Sequence, residues 1–190
     1  MTTFTAYDCQ ANELLLLNIV VCRVVTANCS IEVLAYTGYG SCAQKLYVAE
    51  GYVKLNAVPV WQGSWCGRFT NHRGVNTVLI DPFSCSVRES RRFDTHFSTS
   101  NSTELSNYLQ QLSTGSIIVG VSADEPRRWL GPALSTLRHF GVEVSDVERR
   151  GTFGFVAQKG YPAKTVLRKV VTGEESRSNP AQFKTTITGI

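Results

Sequence analysis

From Arg73 onward the chain alternates short strand-like runs with segments at helical spacing, and this alternation limits the folds open to it. Val75–Ile80 and Ser116–Ser122 are short and rich in β-branched residues, which predicts strands, the second of them continuously apolar and buried. Asp81-Pro82 stops the first, and Cys85–Phe93 alternates its faces, so the two are expected to form a hairpin. Between them and the next strand, Leu105, Tyr108, Leu109 and Leu112 recur at helical spacing. Asn101 is placed to cap that helix, with Glu104 three residues on as in a capping box and Gly115 as the stop. A second helix is predicted over 132–140, with Pro132 in its first turn and Gly141 ending it. Val142–Val147 and Thr152–Gln158 then read as strands.

The first seventy residues have a different grammar. Leu14–Val25, Ser30–Tyr36, Gln44–Val48 and Tyr52–Val60 read as strands separated by glycines, with little helical signal. After Gly160 periodicity is lost, and 172–179 is polar enough to be a tail. At 190 residues one core suffices. The expected organisation is a single domain over 1–170, comprising a cysteine-rich β part to residue 70 and a motif-bearing part over 71–160, then a C-terminal tail over 171–190.

Six cysteines, Cys9, Cys22, Cys29, Cys42, Cys66 and Cys85, all fall in the first half, with no C-x-x-C pair and no histidine pair nearby. Disulfides fit this better than metal ligation, buried thiols are the alternative, and the pairing is not deducible. Two sequons, at Asn28 and Asn101, agree with export and make both residues N-glycosylation candidates. The longest apolar run, from Leu14, is broken by Asn18 and preceded by Asp8 and Glu13. It therefore reads as a strand, with no intact signal peptide and no membrane insertion. A net charge of +4 without interleaved aromatics argues against nucleic acid as a partner, and Arg91-Arg92, Arg127-Arg128 and Arg149-Arg150 are pairs that do not form a patch in sequence.

Motifs for hydrolase, zinc-protease, P-loop and dinucleotide chemistry are absent. His72, His96 and His139 are far apart, and Asp94 with His96 lacks a nucleophile, so a non-catalytic chain without cofactor or metal is expected. What remains is polar residues at predicted strand ends: Arg73 before one, Asp124 after one, Arg150 before the last. If those ends are neighbours, the three meet at one sheet edge and offer donors and acceptors to adjacent sugar hydroxyls. On the residues alone a structural salt bridge is the favoured role.

The order Arg73-Gly74-Val75-Asn76, Phe93-Asp94-Thr95, Thr114-Gly115-Ser116-Ile117-Ile118-Val119 leading to Asp124-Glu125, Leu137–Gly141, and Phe153–Gly160 resembles the ILEI/PANDER-type (interleukin-like EMT inducer) domain family. The same domain occurs in the stem of protein O-mannose N-acetylglucosaminyltransferase. The resemblance implies an α+β fold, a compact β-sandwich of two mostly antiparallel sheets flanked by short helices. It also implies a secreted, lectin-like carbohydrate-binding function toward a terminal sugar, with glycans or glycoproteins as partners and a homo-oligomer left open. The alternative is a cytokine-like protein-binding module of the same fold. The stem's sugar contacts fall on Arg73, Asp124 and Arg150, which turns the reading of these three toward glycan binding. Where the stem has an aromatic residue before the last arginine, this chain has Arg149. Trp61, Trp65 and Trp129 are candidates for a replacement stacking surface, though core packing suits at least two of them better.

Overall fold

The computed structural model describes residues 7–11, 20–24, 28–35, 50–64 and 72–188. In chain order the elements are β1 (Tyr7–Ala11), β2 (Val20–Val24), β3 (Asn28–Ala35), β4 (Glu50–Leu55), β5 (Val58–Ser64), β6 (Gly74–Ile80) and β7 (Val87–Phe93). There follow α1 (Thr99–Gln111), β8 (Ile117–Ala123), α2 (Gly131–His139) and β9 (Thr152–Gln158). A 3₁₀ turn (Pro162–Lys164), β10 (Val166–Val170), α3 (Gly173–Ser178) and β11 (Ala181–Thr188) complete the order.

Two antiparallel sheets dominate. One has the order β10-β9-β8-β6-β7 and the other β11-β3-β4-β5, while β1 and β2 form a separate ribbon. The expected α+β sandwich is the observed architecture. The five-stranded sheet is covered on both faces, which is why β8 reads as a nearly unbroken apolar run, while β6 buries Asn76 and Thr77 among its apolar residues. One face sends Val78, Ile80, Val119, Val121 and Val156 against Ile31, Val33 and Val53 of the four-stranded sheet. The other sends Val75, Ile118, Phe153 and Phe155 against Leu105 and Leu109 of α1 and Leu137 of α2. Each such fully buried side chain contributes about 1.5–3 kcal/mol. Gly120 of β8 has no room for a side chain, since a Cβ there would lie 2.1 Å from the Phe155 ring.

The Cys29–Cys85 disulfide ties β3 to the turn before β7, and so fastens the two sheets covalently. Cys9 and Cys22 are register partners across β1 and β2. Cys42 and Cys66 lie outside the described residues, as do Trp65 and the strand expected over Gln44–Val48.

Several expectations need correction. Tyr52–Val60 is a hairpin and not one strand, because Asn56 and Ala57 both adopt left-handed φ (51° and 66°) and turn the chain between β4 and β5. Asn56 signals such a turn, whereas Ala57 hides it. Helix α1 starts three residues earlier than expected. Ser98 is the N-cap, accepting from the Asn101 backbone N–H, and Asn101 itself lies inside the first turn. Val142–Val147 is turn-rich chain with no strand; its three valines are buried against the helical-side core without joining a ladder. The strand expected over Leu14–Val25 is realised as β2 over its described part. Beyond residue 170 the expected tail carries α3 and β11, and β11 pairs along its full length with β3. Ala181, Phe183 and Ile187 face the core there while Gln182, Lys184 and Thr186 face solvent, a half-buried edge strand whose polar face disguised it.

Candidate functional site

Because β9, β8, β6 and β7 are adjacent and antiparallel, the start of β6, the end of β7, the end of β8 and the start of β9 fall at one end of the sheet. Arg73, Asp94, Asp124 and Arg150 all flank these termini. The condition attached to the three strand-end residues is therefore met.

Gly74 sets the first of them. Its φ is +99°, and a Cβ would lie 2.2 Å from the Phe93 carbonyl oxygen, so only glycine lets β6 begin this close to the end of β7. The preceding Arg73 is thereby aimed at Asp94, to which Nε and Nη2 donate at 3.0 and 2.9 Å. This bidentate fork fixes both planes. Asp94 also accepts from the Phe97 N–H at 3.1 Å, which shapes the loop after β7. Thr95 fastens that loop to the one after β8: its hydroxyl donates to the Pro126 carbonyl at 2.7 Å, and its own carbonyl accepts from the Trp129 N–H at 2.9 Å.

Asp124 and Arg150 form the second pair, with Arg150 Nη1 donating to Asp124 Oδ1 at 3.1 Å. Both residues have left-handed backbones, φ 58° and 63°. Non-glycine residues seldom adopt this region, and such strained positions concentrate at functional sites. Burial pushes the Asp124 carboxyl above its ordinary range, against the pull of Arg150, Arg73 and His96. The neighbouring Glu125 has a different task. Its buried carboxylate accepts from the Arg127 N–H at 3.0 Å and from the Arg150 N–H at 2.9 Å, joining the loop after β8 to the loop before β9.

Beside these pairs lies a cavity of about 440 Å³ lined by His96, Glu125, Arg127, Arg128 and Arg149. Burial holds the His96 imidazole below its usual pKa, and the Arg73 and Arg128 cations add to this. The Arg128 guanidinium sits 5.5 Å from the Trp129 ring. Trp129 is 39% exposed and Phe97, next to His96 in sequence, 73%. Trp61 instead packs against the core between the sheets and makes an edge contact with His72. Among the described residues no group of three or more His, Cys, Asp or Glu is placed to hold a metal, and no helix is long and apolar enough to cross a membrane.

The two sequons sit differently. Asn28 is exposed at the start of β3. The Nδ2 of Asn101, half-buried in α1, donates to the Ser98 hydroxyl at 2.9 Å.

Arg73, Asp124 and Arg150 thus flank neighbouring strand ends, with Arg73 paired to Asp94 and Arg150 to Asp124. Missed were the clamp role of Glu125, the exposed Phe97, and the meeting of Arg149 with Arg127 and Arg128 at one cavity. The available signal was the pairs themselves, 127-128 and 149-150, each next to a loop that the Asp124–Arg150 contact closes.

Residues 73–161 match the protein-family model described as interleukin-like EMT inducer. The matched segment is the one that carries the motifs from Arg73 to Gly160. No curated protein matches the chain.

Proposed function

We propose, from the premise that residues 73–161 are an interleukin-like EMT inducer domain, that this chain is a secreted, non-catalytic module that binds a terminal sugar through Arg73, Asp124 and Arg150. The observation that carries the reading is the strained pair: two non-glycine residues held at φ 58° and 63°, ion-paired to each other beside an open cavity. Arg150, for which this backbone is the uncommon one, is held there by its N–H bond to Glu125 and its ion pair with Asp124. Arginine and aspartate offer the paired donors and acceptors that vicinal hydroxyls match, and the mutual contacts keep them ordered before a ligand arrives. Trp129 supplies an exposed aromatic face of the kind that packs on the apolar side of a sugar ring. The Cys29–Cys85 disulfide suits an oxidising compartment outside the cytosol.

The test is a broad glycan array probed with the full chain, Arg73→Ala and Asp124→Ala. Wild type is expected to bind a restricted set of glycans and both variants to lose at least tenfold in apparent affinity. Silence of the wild type across the array refutes the reading. The family description favours a second reading, a receptor-binding signalling module, which predicts that silence together with binding to a protein partner.

A further inference from the structure

We infer that the sugar taken at this site bears an anionic group, a carboxylate or a sulfate, received by Arg127, Arg128 and Arg149; the inference rests on the carbohydrate reading above. The cavity wall carries three arginines against one carboxylate, a formal excess of two positive charges. That carboxylate is not available to a ligand. Glu125 is 2% exposed, and its two oxygens are each occupied by a backbone N–H.

The arginines are in the opposite state. Among the described residues Arg127 and Arg128 make no ion pair. Arg127 reaches only the Ser145 carbonyl, at 3.5 Å, and Arg128 only the His96 ring nitrogen, also at 3.5 Å, and the Trp129 face. Arg149 lies 3.8 Å from Glu125, with its side chain 82% exposed. Of the adjacent cations, Arg150 is met by Asp124, while Arg73 shares Asp94 with Arg92, 3.8 Å from the same carboxylate. The neighbouring charges therefore do not offset the excess at the cavity. Gathering like charges at one wall opposes folding, and an anion at that wall relieves the repulsion. Guanidinium groups recognise planar carboxylate and sulfate oxygens in pairs, which lysines do less well.

Two further features separate a charged sugar from an inorganic ion. The volume of about 440 Å³ lies within the range of small-molecule sites, and Phe97 and Trp129 place exposed aromatic surface on the loops that carry His96 and Arg128.

The experiment uses an array on which sialylated, uronylated and sulfated glycans stand beside their neutral parents, with a polyglutamate control, probed by wild type and Arg149→Gln. Signal is expected on acid-bearing glycans and not on their parents. It should fall about tenfold in Arg149→Gln, whose exposed position leaves the fold intact. The carboxylate and sulfate arms identify which group is taken. Equal binding of neutral parents overturns the anionic inference while leaving the carbohydrate reading standing, as does an unchanged signal in Arg149→Gln. Equal capture of polyglutamate overturns the sugar specificity, and absence of all glycan binding overturns both readings.

Discussion

Asp124 and Glu125 are consecutive buried carboxylates, and the structure assigns them opposite consequences when neutralised. Asp124→Asn keeps an oxygen for Arg150 Nη1, now 3.1 Å away, and asparagine tolerates the left-handed backbone as well as aspartate does. It removes a charge that burial disfavours. With its folded pKa raised above 3.8, Asp124 contributes stability that is fully present below that value and lost as pH rises through the folded pKa. At pH 7 its ionised form therefore works against the fold. The variant should unfold in urea within about 1 kcal/mol of wild type or above it, with the difference moving in its favour from about pH 4 to pH 7. A structural buried pair broken on one side would instead lose about 3–5 kcal/mol. Glu125→Gln puts an amide donor against one of two backbone N–H groups, at Arg127 or Arg150, that now donate to the carboxylate. It should lose about 1–3 kcal/mol. Urea unfolding of the three proteins across pH measures all of this. A loss of 3 kcal/mol or more in Asp124→Asn at pH 7, or a loss that grows with pH, would refute the reasoning and make the pair structural.

The Cys29–Cys85 bridge closes a separation of 56 residues, which on the loop-entropy account is worth about 4 kcal/mol. The double replacement Cys29→Ser, Cys85→Ser should lose stability of that order in non-reducing urea unfolding, and a loss under about 1 kcal/mol would show that the link between the sheets is redundant. His96, its pKa lowered by burial and then by neighbouring arginines, should titrate below 6.5 by NMR and shift upward when an acidic glycan binds. Its stability contribution is present above 6.5 and lost as pH falls through the folded value, so a free-state pKa above 6.5 would contradict the site's electrostatics.

Much of this domain was legible because burial imposes a pattern. Val75–Ile80, Ser116–Ser122 and Thr152–Gln158 announce the central strands of a sheet covered on both faces, and Gly141 announces the end of α2, whereas α1 ends at Gln111, before the turn that holds Gly115. Where backbone conformation and burial part company, the pattern misleads. Val142, Val144 and Val147 suggest a strand because they pack against a core, while their backbone forms no ladder. β11 reads as a polar tail because one face of an edge strand meets solvent. Ala57 takes a left-handed turn that nothing in its side chain advertises.

For the site, the sequence alone determined which residues flank strand ends, and those were Arg73, Asp124 and Arg150. Strand order decided that they meet. Only the tertiary structure brought Arg149 beside Arg127 and Arg128 in one cationic wall, left Trp129 facing outward, and divided the work between Asp124 and Glu125. The physical reason is that strand ends are written in local propensity, whereas charge density and exposure depend on which distant loops the sheet brings side by side.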